Sequence, residues 1–553
     1  MDVSGWVVVQ RAGVVVAFVL AAAAVVAADR PSGRWGAALR RRFVLGVPWG
    51  SLLTLLGVLA VYLFVQGGLG HWYNPLTLPF RAWSYFYPLG VLTAAFAHNG
   101  PGHLVGNLVG AAAFAPLAEY AWGHFPRERG ATSFGSWRTN PYVRAFVVFP
   151  AVVFVVGVLS AAFAIGPIIG FSGVVFAFAG FALVNYPFGT VVALAGGSVV
   201  RTVYTAVQTP QLTAGGRPAY ITPWWADIAI QGHAFGLFVG VLLGAAVVRS
   251  RPRDARPSAL RLWTATVIFG VQQSLWAVYW YRGGDTYVLY RAVGVGLVAV
   301  AAVVVTYTVV GSDRSVLEGA FDGAFAHRRW QAGAACLILV TGAMTGPAVV
   351  ANLYTADDGG LPGETVTVRD YEVTYAEGVT NGMTAAVDVS AFGETTAVNT
   401  SGVVVRSEER GIWTTAVTKG RLAFGGRAAV VLGGVGWRET VYALRDGWTV
   451  TGGNTTYRVL LSHEGSARVV YTADPVRAGP VVGGRNVSVA AAPQGYYLRV
   501  TRENETVAAR LPADNRSVTL DGLTFTREKR KLFVEYGENG ETRLQIAKRE
   551  TYK

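Results

Sequence analysis

Residues 170–187 read GFSGVVFAFAGFALVNYP, an apolar run with one serine between two glycines at its start. A helix that crosses about 30 Å of hydrocarbon needs about 20 mostly apolar residues. Outward from this run, ten candidate stretches near that length lie within the first 352 residues. They fall near residues 7–28, 45–67, 103–121, 142–165, 170–187, 190–207, 226–248, 262–281, 288–310 and 332–352.

The composition agrees with a membrane protein. The 553 residues are 52% hydrophobic and 14% charged, and they include one cysteine. A disordered chain, a disulfide-stapled secreted miniprotein and an ordinary soluble enzyme are thereby excluded. The sequence predicts a polytopic α-helical membrane protein.

The net charge of +14 invites a nucleic-acid interpretation, but its distribution opposes one. Residues 1–352 carry 23 Arg, no Lys and 10 acidic residues, whereas residues 353–553 carry 24 basic and 23 acidic residues. The excess charge thus lies among the apolar stretches, without a basic stripe interleaved with aromatics. We expect no nucleic-acid partner.

Arginines between the stretches orient the chain, because cytoplasmic loops carry the excess of basic residues. Four loops hold 17 of the 23 arginines of residues 1–352. These loops alternate correctly if the N-terminus is external and ten crossings follow. The arginines are Arg30, Arg34, Arg40, Arg41, Arg42, Arg127, Arg129, Arg138, Arg144, Arg249, Arg251, Arg253, Arg256, Arg261, Arg314, Arg328 and Arg329.

Five Asn-X-Ser/Thr sequons agree with this topology, because all lie beyond the last apolar stretch. Glycosylation there requires an external location. The prediction is a multi-pass cell-membrane glycoprotein with an external C-terminal domain. The sequons begin at Asn399, Asn454, Asn486, Asn504 and Asn515.

The first stretch could instead be a cleaved signal peptide, since Arg11 precedes an apolar run ending in Val26-Ala27-Ala28. Cleavage would leave the following five-arginine loop outside, against the charge rule. We therefore prefer an uncleaved helix.

From Thr365 the sequence alternates apolar and polar residues, as in Thr365-Val-Thr-Val and Tyr371-Glu-Val-Thr-Tyr. Turn signals occur at Asp446-Gly, Asp521-Gly and Glu538-Asn-Gly. This pattern predicts a separate all-β, sandwich-like domain over residues 353–553. It contains no cysteine, so its core alone must stabilise it.

Three polar clusters interrupt the apolar stretches, and polar residues inside a bilayer are costly. His98, His103 and Asn107 surround the start of the third stretch. Ser172 begins the fifth, and His233 lies in the seventh. The predicted topology makes all three starts external, so these side chains converge on one shallow layer.

Each residue also has a purely structural interpretation. A membrane serine often bonds its own helix, His233 could join two helices by a hydrogen bond, and His103 could pair with Asn107 at i+4. Glycines at positions 173, 236 and 240 alone indicate close helix packing.

Taken together, the clusters contain the parts of a serine hydrolase. An imidazole can take the proton of a hydroxyl nucleophile near neutral pH. Further donors can then stabilise the oxyanion of the tetrahedral intermediate. Asp227 lies six residues before His233, about 240° around a helix turning about 100° per residue, so we expect a Ser–His dyad. No metal or other cofactor is expected, since no His-Glu-x-x-His motif occurs.

The ordered set of motifs resembles the rhomboid family of intramembrane serine proteases. It comprises His-x4-His-x3-Asn, then Gly-x-Ser-Gly, then His-x2-Gly-x3-Gly. The residues are His98, His103, Asn107, Gly170, Ser172, Gly173, His233, Gly236 and Gly240.

The resemblance implies a six-helix core over residues 45–250, with Ser172 as nucleophile and His233 as general base. It implies that His103 and Asn107 hold the oxyanion and that His98 orients the loop before its helix. Glu119 is similar to the family's structural carboxylate. The aromatic-rich stretch 68–93 resembles a loop lying partly in the outer leaflet, although Arg81 precedes Trp83 by two residues rather than following a tryptophan.

The predicted function is hydrolysis of peptide bonds in transmembrane protein substrates within the bilayer, near the external face. The alternative is a catalytically inactive rhomboid-like protein that captures partners through the β domain; a transporter ranks below both. Around the core we predict an N-terminal helix and arginine-rich loop at 1–44 and three additional helices at 251–352. The sequence predicts neither the oligomeric state nor whether the β domain recruits substrates or only caps the membrane region.

Overall fold

The computed structural model describes residues 3–29, 33–126, 129–206, 219–226, 228–252, 256–283, 285–313, 328–353, 360–380, 399–537 and 541–553. Contacts divide the chain into two compact units. The first comprises Met1–Gly216, Pro223–Trp280 and Val288–Tyr354. The second comprises Arg217–Thr222, Tyr281–Tyr287 and Thr355–Lys553.

The first unit is helical, and a helix occupies at least part of each of the ten predicted stretches. Its helices are α1 (Val3–Asp29), α2 (Arg34–Arg42), α3 (Trp49–Ala60, continued by a π-turn to Val65), α4 (Pro88–Ala94), α5 (Pro101–Trp122), α6 (Pro141–Val143), α7 (Phe149–Ala162, joined to α6 by a π-turn), α8 (Ser172–Asn185), α9 (Pro187–Ala206), α10 (Ile230–Arg249), α11 (Ala259–Gln272), α12 (Arg291–Val310) and α13 (Arg329–Ala351).

Five helical segments in the described residues are long and apolar enough to cross a bilayer. Shorter apolar helices cover Ala12–Ala28, Trp49–Val65 and Ser172–Asn185. A helical membrane core is therefore confirmed, while the count of six helices for the 45–250 core stays a prediction. The five segments are Pro101–Trp122, Pro141–Ala162, Ile230–Arg249, Arg291–Val310 and Arg329–Val350.

The predicted span 262–281 is wrong in its second half. Helix α11 ends at Gln272, and Ser274 adopts a left-handed φ of 60°. The aromatic segment that follows forms a hairpin, β1 (Tyr279–Gly283) with β2 (Thr286–Leu289). Aromatic residues favour strands, and the left-handed residue breaks the helix that hydropathy alone extended.

Two boundaries also differ from prediction. The weakest stretch, 190–207, is a 20-residue helix that begins earlier, at Pro187, where a proline fits the first helical turn. The stretch at 226–248 becomes helical only from Ile230. His233 therefore lies about 4.5 Å from its helix start, at about 1.5 Å per residue, rather than the roughly 10 Å that a helix start at residue 226 predicts.

The second unit is rich in antiparallel strands, as predicted. One sheet joins β3 to β6, another joins β11 to β14, and the largest has the order β10-β9-β8-β18-β17-β16-β15 with β7 also paired to β8. The strands are β3 (Val366–Val368), β4 (Tyr371–Thr380), β5 (Asn399–Ser407), β6 (Ile412–Thr418), β7 (Arg427–Gly434), β8 (Trp437–Val450), β9 (Thr455–His463), β10 (Ser466–Thr472), β11 (Val476–Val482), β12 (Arg485–Ala492), β13 (Gly495–Arg502), β14 (Glu505–Arg510), β15 (Arg516–Leu520), β16 (Leu523–Glu528), β17 (Lys531–Tyr536) and β18 (Thr542–Arg549). A seven-residue helix, α14 (Lys419–Gly425), follows β6.

One core of this unit combines side chains from two of its sheets, including Leu498 and Val500 with Phe525 and Val534. Alternate residues of each strand enter the core, as the period of two predicts. The arrangement agrees with a β domain, and the finer sandwich description stays a prediction.

Of the three predicted turns, Asp521-Gly522 is confirmed as the two-residue link between β15 and β16. The turn at Asp446-Gly447 is wrong, because both residues lie inside β8. A Cβ at position 447 would lie 2.2 Å from a Glu550 carboxylate oxygen. The glycine is therefore explained by the space that Glu550 needs and not by a turn. The Glu538-Asn-Gly signal lies outside the described residues.

Candidate active site

Ser172 is the first residue of α8 and is half-buried. It follows Gly170, whose φ of +129° strongly favours glycine. Helix α8 has 14 residues, so it is about 21 Å long at about 1.5 Å per residue. That is shorter than a hydrocarbon core of about 30 Å. If Asn185 lies at one boundary of that core, Ser172 lies well below the other.

Helices α8 and α10 approach until their backbones touch. A Cβ on Gly236 would lie 2.0 Å from the Gly173 carbonyl oxygen, and one on Gly240 would lie 2.0 Å from that of Ala177. These contacts advance in the same direction along both chains, so the two helices are parallel. Gly173, Gly236 and Gly240 thus lie in a close helix interface, as their spacing predicts.

His233 lies on α10 one turn before Gly236, and its half-buried ring stacks on Phe176 with centroids 4.3 Å apart and planes 16° apart. Phe176 is one turn after Ser172, on the same face of α8. Ser172 precedes the Gly173–Gly236 contact by one residue, and His233 precedes it by three. The two residues therefore differ in height along the parallel helix axes by about 3 Å. The nucleophile and base candidates are therefore adjacent.

The described hydrogen bonds include none between Ser172 Oγ and the His233 ring, whose buried Nδ1 has no partner within the described residues. Catalytic hydrogen bonds in unliganded enzymes are often long and tighten only when substrate binds. The structure thus brings the two residues together without engaging their side chains.

His103 and Asn107 approach the same glycine turn from α5. A Cβ on Gly170 would lie 2.6 Å from His103 Nε2 and 3.5 Å from Asn107 Nδ2. Asn107 is 7% exposed, and its Nδ2 is a buried donor without a partner in the described part of the chain. Helix α5 runs parallel to α8, because the next contact joins Gly110 to Val175. The three helix starts therefore lie at one end of the bundle, as predicted.

His98 is fully buried before α5, with its ring centroid 5.1 Å from that of His103. Gln66 holds its backbone from both sides: His98 N–H donates to Gln66 Oε1 at 2.7 Å, and Gln66 Nε2 donates to the His98 carbonyl at 2.9 Å. This position of His98 agrees with the predicted role of orienting the loop before α5.

Arg81 links the loop 68–93 to both neighbouring segments. It donates to Asn99 Oδ1 at 2.8 Å and to the Pro167 carbonyl at 3.4 Å. Trp83 is 1% exposed and donates to the Leu78 carbonyl at 2.6 Å. Although Arg81 does not follow a tryptophan as in the family motif, it anchors the loop between the segments that carry His98 and Ser172.

Glu119 lies near the other end of α5 and is fully buried. Its carboxylate accepts hydrogen bonds from the N–H groups of Gly50 and Ser51, both at 2.8 Å, and from Ser51 Oγ at 2.6 Å. It also pairs with His124 Nε2 at 2.6 Å, while His124 Nδ1 accepts from Val44 N–H at 3.0 Å. These bonds tie the start of α3 to the end of α5.

Sequence reasoning missed Phe176, Gln66 and His124. Phe176 was detectable, because a residue at i+4 from Ser172 shares its helix face. Gln66 bonds His98, 32 residues away, and His124 bonds Val44, 80 residues away, and no local pattern reports such distant contacts.

Within the described residues, one further polar group could hold a metal ion, and it lies in the β unit. Ligand atoms of Glu439, His463 and Glu464 lie within 4.8 Å of one another. However, Glu439 already pairs with His463 Nε2 at 2.8 Å and with Arg369 Nε at 3.3 Å. The arginine neutralises the carboxylate that a cation would need.

A family model described as the Rhomboid domain matches residues 85–250. The match includes α5, α8 and α10, which carry the residues discussed above. Neither the curated proteins nor the solved structures contain a significant match to the chain. The resemblance to the rhomboid family is thus confirmed over residues 85–250.

Proposed function

We propose that the protein is an intramembrane serine endopeptidase that cleaves membrane-anchored substrates with a Ser172–His233 dyad. One observation carries the proposal: the backbone contact between Gly173 and Gly236, beside a His233 ring stacked one turn from Ser172. A binding protein has no need of a hydroxyl and an imidazole at this spacing, with two further polar side chains beside them.

In this proposal His233 takes the proton of Ser172 as the hydroxyl attacks the peptide carbonyl, and returns it to the leaving amine as the C–N bond breaks. Water, deprotonated by His233, then cleaves the ester on Ser172, which releases the carboxylic acid product and restores the hydroxyl. His103 and Asn107 donate to the oxyanion of the tetrahedral intermediate. The unpartnered Asn107 Nδ2 is a donor ready for an incoming acceptor. No metal or other cofactor takes part in the proposed steps.

Substrates would need a segment that unwinds easily. In a helix the peptide carbonyl is already hydrogen-bonded, and lipid offers no replacement partner. A half-buried serine below the membrane surface suits an unwound segment that bends inward.

Labelling of the full-length protein with a serine-directed fluorophosphonate tests the nucleophile. We expect one labelled site, mapped to Ser172 and lost in Ser172→Ala. Ser250→Ala is the matched control, since Ser250 is exposed and its hydroxyl donates to the Val247 carbonyl of its own helix. Undiminished labelling of Ser172→Ala would remove Ser172 from its role. A protein that binds a membrane substrate at several pH values without cutting it would favour the inactive binding protein.

We propose further that the N-terminus and the β unit are external. Four of the five sequon asparagines are exposed, and Asn486 is half-buried. Because Cys336 is the only cysteine, Cys336→Ala gives a clean background for single cysteines. On intact cells a membrane-impermeant maleimide should label Asn515→Cys, while Trp137→Cys should react only after lysis. The reverse pattern would invert the topology.

The role of the β unit has two candidates, recruitment of substrates and a passive cap. Removing residues 360–553 and measuring cleavage separates them. Recruitment predicts that a substrate with a long external segment is cleaved more slowly while a short one is unaffected. A passive cap predicts no difference between the two substrates.

A further inference from the structure

We propose that the ends of α10, α12 and α13 form a binding site for the phosphate headgroup of an anionic phospholipid. A cleft of about 580 Å³ opens there, within the usual range of about 300–1,000 Å³ for ligand sites. Its polar lining consists of Arg249, Arg256, Thr308, Asp313, Arg328 and Trp330. The inference does not depend on the proposed protease activity.

The charges in the cleft do not balance. Arg249 lies 3.4 Å from Asp313, and Arg328 lies 3.6 Å from the same carboxylate. Arg256 adds a third positive charge, and Asp313 is the only acid among the described lining residues. The formal excess of two positive charges suits a phosphate group.

One of the three arginines, Arg249, is held rather than freely solvated. The Arg249 side chain is 14% exposed, its guanidinium lies 3.9 Å from the centre of the Trp330 ring, and it donates to the Val309 carbonyl at 3.2 Å. An arginine that only marks a cytoplasmic loop needs no such support. Guanidinium groups fixed in this way are typical of phosphate recognition.

Two N–H donors beside these charges lack acceptors. Arg256 Nε and Trp330 Nε1 are buried and have no hydrogen-bond partner in the part of the chain that the structure describes. A buried donor without a partner lowers stability. Phosphate oxygens are acceptors, so a bound headgroup could satisfy donors at this position after small side-chain movements.

The remaining lining indicates a lipid rather than free phosphate. Leu242 and Ala245 of α10 and Ala334 of α13 form an apolar wall of the cleft. An acyl chain can lie against such a wall while its phosphate reaches the arginines. The arginine-rich ends of these helices are also on the predicted cytoplasmic side, where anionic lipids attract basic residues.

The test compares two lipids with identical chains on the purified full-length protein. Native mass spectrometry measures binding of dioleoyl phosphatidylglycerol and dioleoyl phosphatidylcholine, and inorganic phosphate is a separate arm. Wild type should prefer phosphatidylglycerol. The double variant Arg256→Gln with Arg328→Gln should weaken that binding about 30-fold. This fold-change corresponds to the loss of about 1 kcal/mol for each of the two basic side chains. The matched control is Arg40→Gln with Arg138→Gln, exposed arginines outside the cleft that should keep wild-type affinity.

Asp313→Asn changes the charge in the opposite direction and should tighten phosphatidylglycerol binding about fivefold. A misfolded variant would not bind more tightly, so this result separates charge from stability. Equal binding of both lipids, or equal loss in both double variants, would overturn the proposal. Competition by inorganic phosphate at the same affinity would overturn the lipid assignment.

Discussion

The two ends of α5 differ in how their polar groups are satisfied. Near one end, Glu119 is buried with four donors on its carboxylate, and both nitrogens of His124 are bonded. At the other end, Asn107 Nδ2 and both nitrogens of His98 are buried without a partner among the described residues. One helix therefore carries a complete polar network and an incomplete one.

This difference indicates a structural role for the Glu119 end of α5 and a functional role for the Asn107 end. A satisfied buried network stabilises the fold and has no free donor for a ligand. Unpaired buried donors cost stability and persist where a ligand or a reaction uses them. We therefore expect substitutions at the Glu119 end to lower stability and substitutions at the Asn107 end to lower activity.

The largest expected effect is on activity at the incomplete end. His233→Ala should reduce cleavage by at least about 10³-fold, because the nucleophile loses its base, with little change in melting temperature. His71→Ala is the matched control, since His71 is exposed in the loop after α3. Cleavage within tenfold of wild type would show that His233 is not the base.

Asn107→Ala should lower kcat by about 10²-fold, the usual cost of removing one oxyanion donor. Its stability should stay at or above that of the wild type, because a buried unpaired amide is removed. Exposed Asn74→Ala serves as the control. A raised KM with unchanged kcat would assign Asn107 to substrate binding instead.

Glu119→Gln should show the opposite pattern. The amide presents two hydrogens to a site built entirely of donors, so about two charged hydrogen bonds are lost and unfolding becomes easier by about 3 kcal/mol. Remaining folded protein should cleave at nearly the wild-type rate. Exposed Glu503→Gln should change neither quantity. Loss of activity without loss of stability would contradict the division between the two ends.

The smallest expected effect is that of Gly236→Ala, which should lower both stability and activity. Gly236→Ala would place a methyl group 2.0 Å from the Gly173 carbonyl and force α8 from α10, at about 1–3 kcal/mol. Activity should fall with stability, since the same movement separates Ser172 from His233. Gly106→Ala is the control, because nothing lies within 4 Å of its added Cβ. Equal melting temperatures for both variants would mean that the close contact is not needed.

Much of this arrangement could be predicted from the sequence. Hydropathy located the helices, and the spacing of Gly236 and Gly240 after His233 indicated the close interface, because both are local periodic signals. The end of α11 and the Asp446-Gly447 segment were mispredicted. The helix ends early because Ser274 adopts a left-handed conformation, which hydropathy does not report. The glycine at 447 accommodates Glu550, which is distant in the sequence. The partners of Glu119 could not be predicted, because they depend on contacts between distant segments.

Proteolysis in liposomes tests the central claim most directly. Full-length wild type, Ser172→Ala and Ser250→Ala are reconstituted with a substrate that has one membrane anchor, and the products are mapped by mass spectrometry. We expect one cut within the membrane segment, by wild type and Ser250→Ala alike, and none by Ser172→Ala. The same cut by Ser172→Ala at the wild-type rate would contradict it.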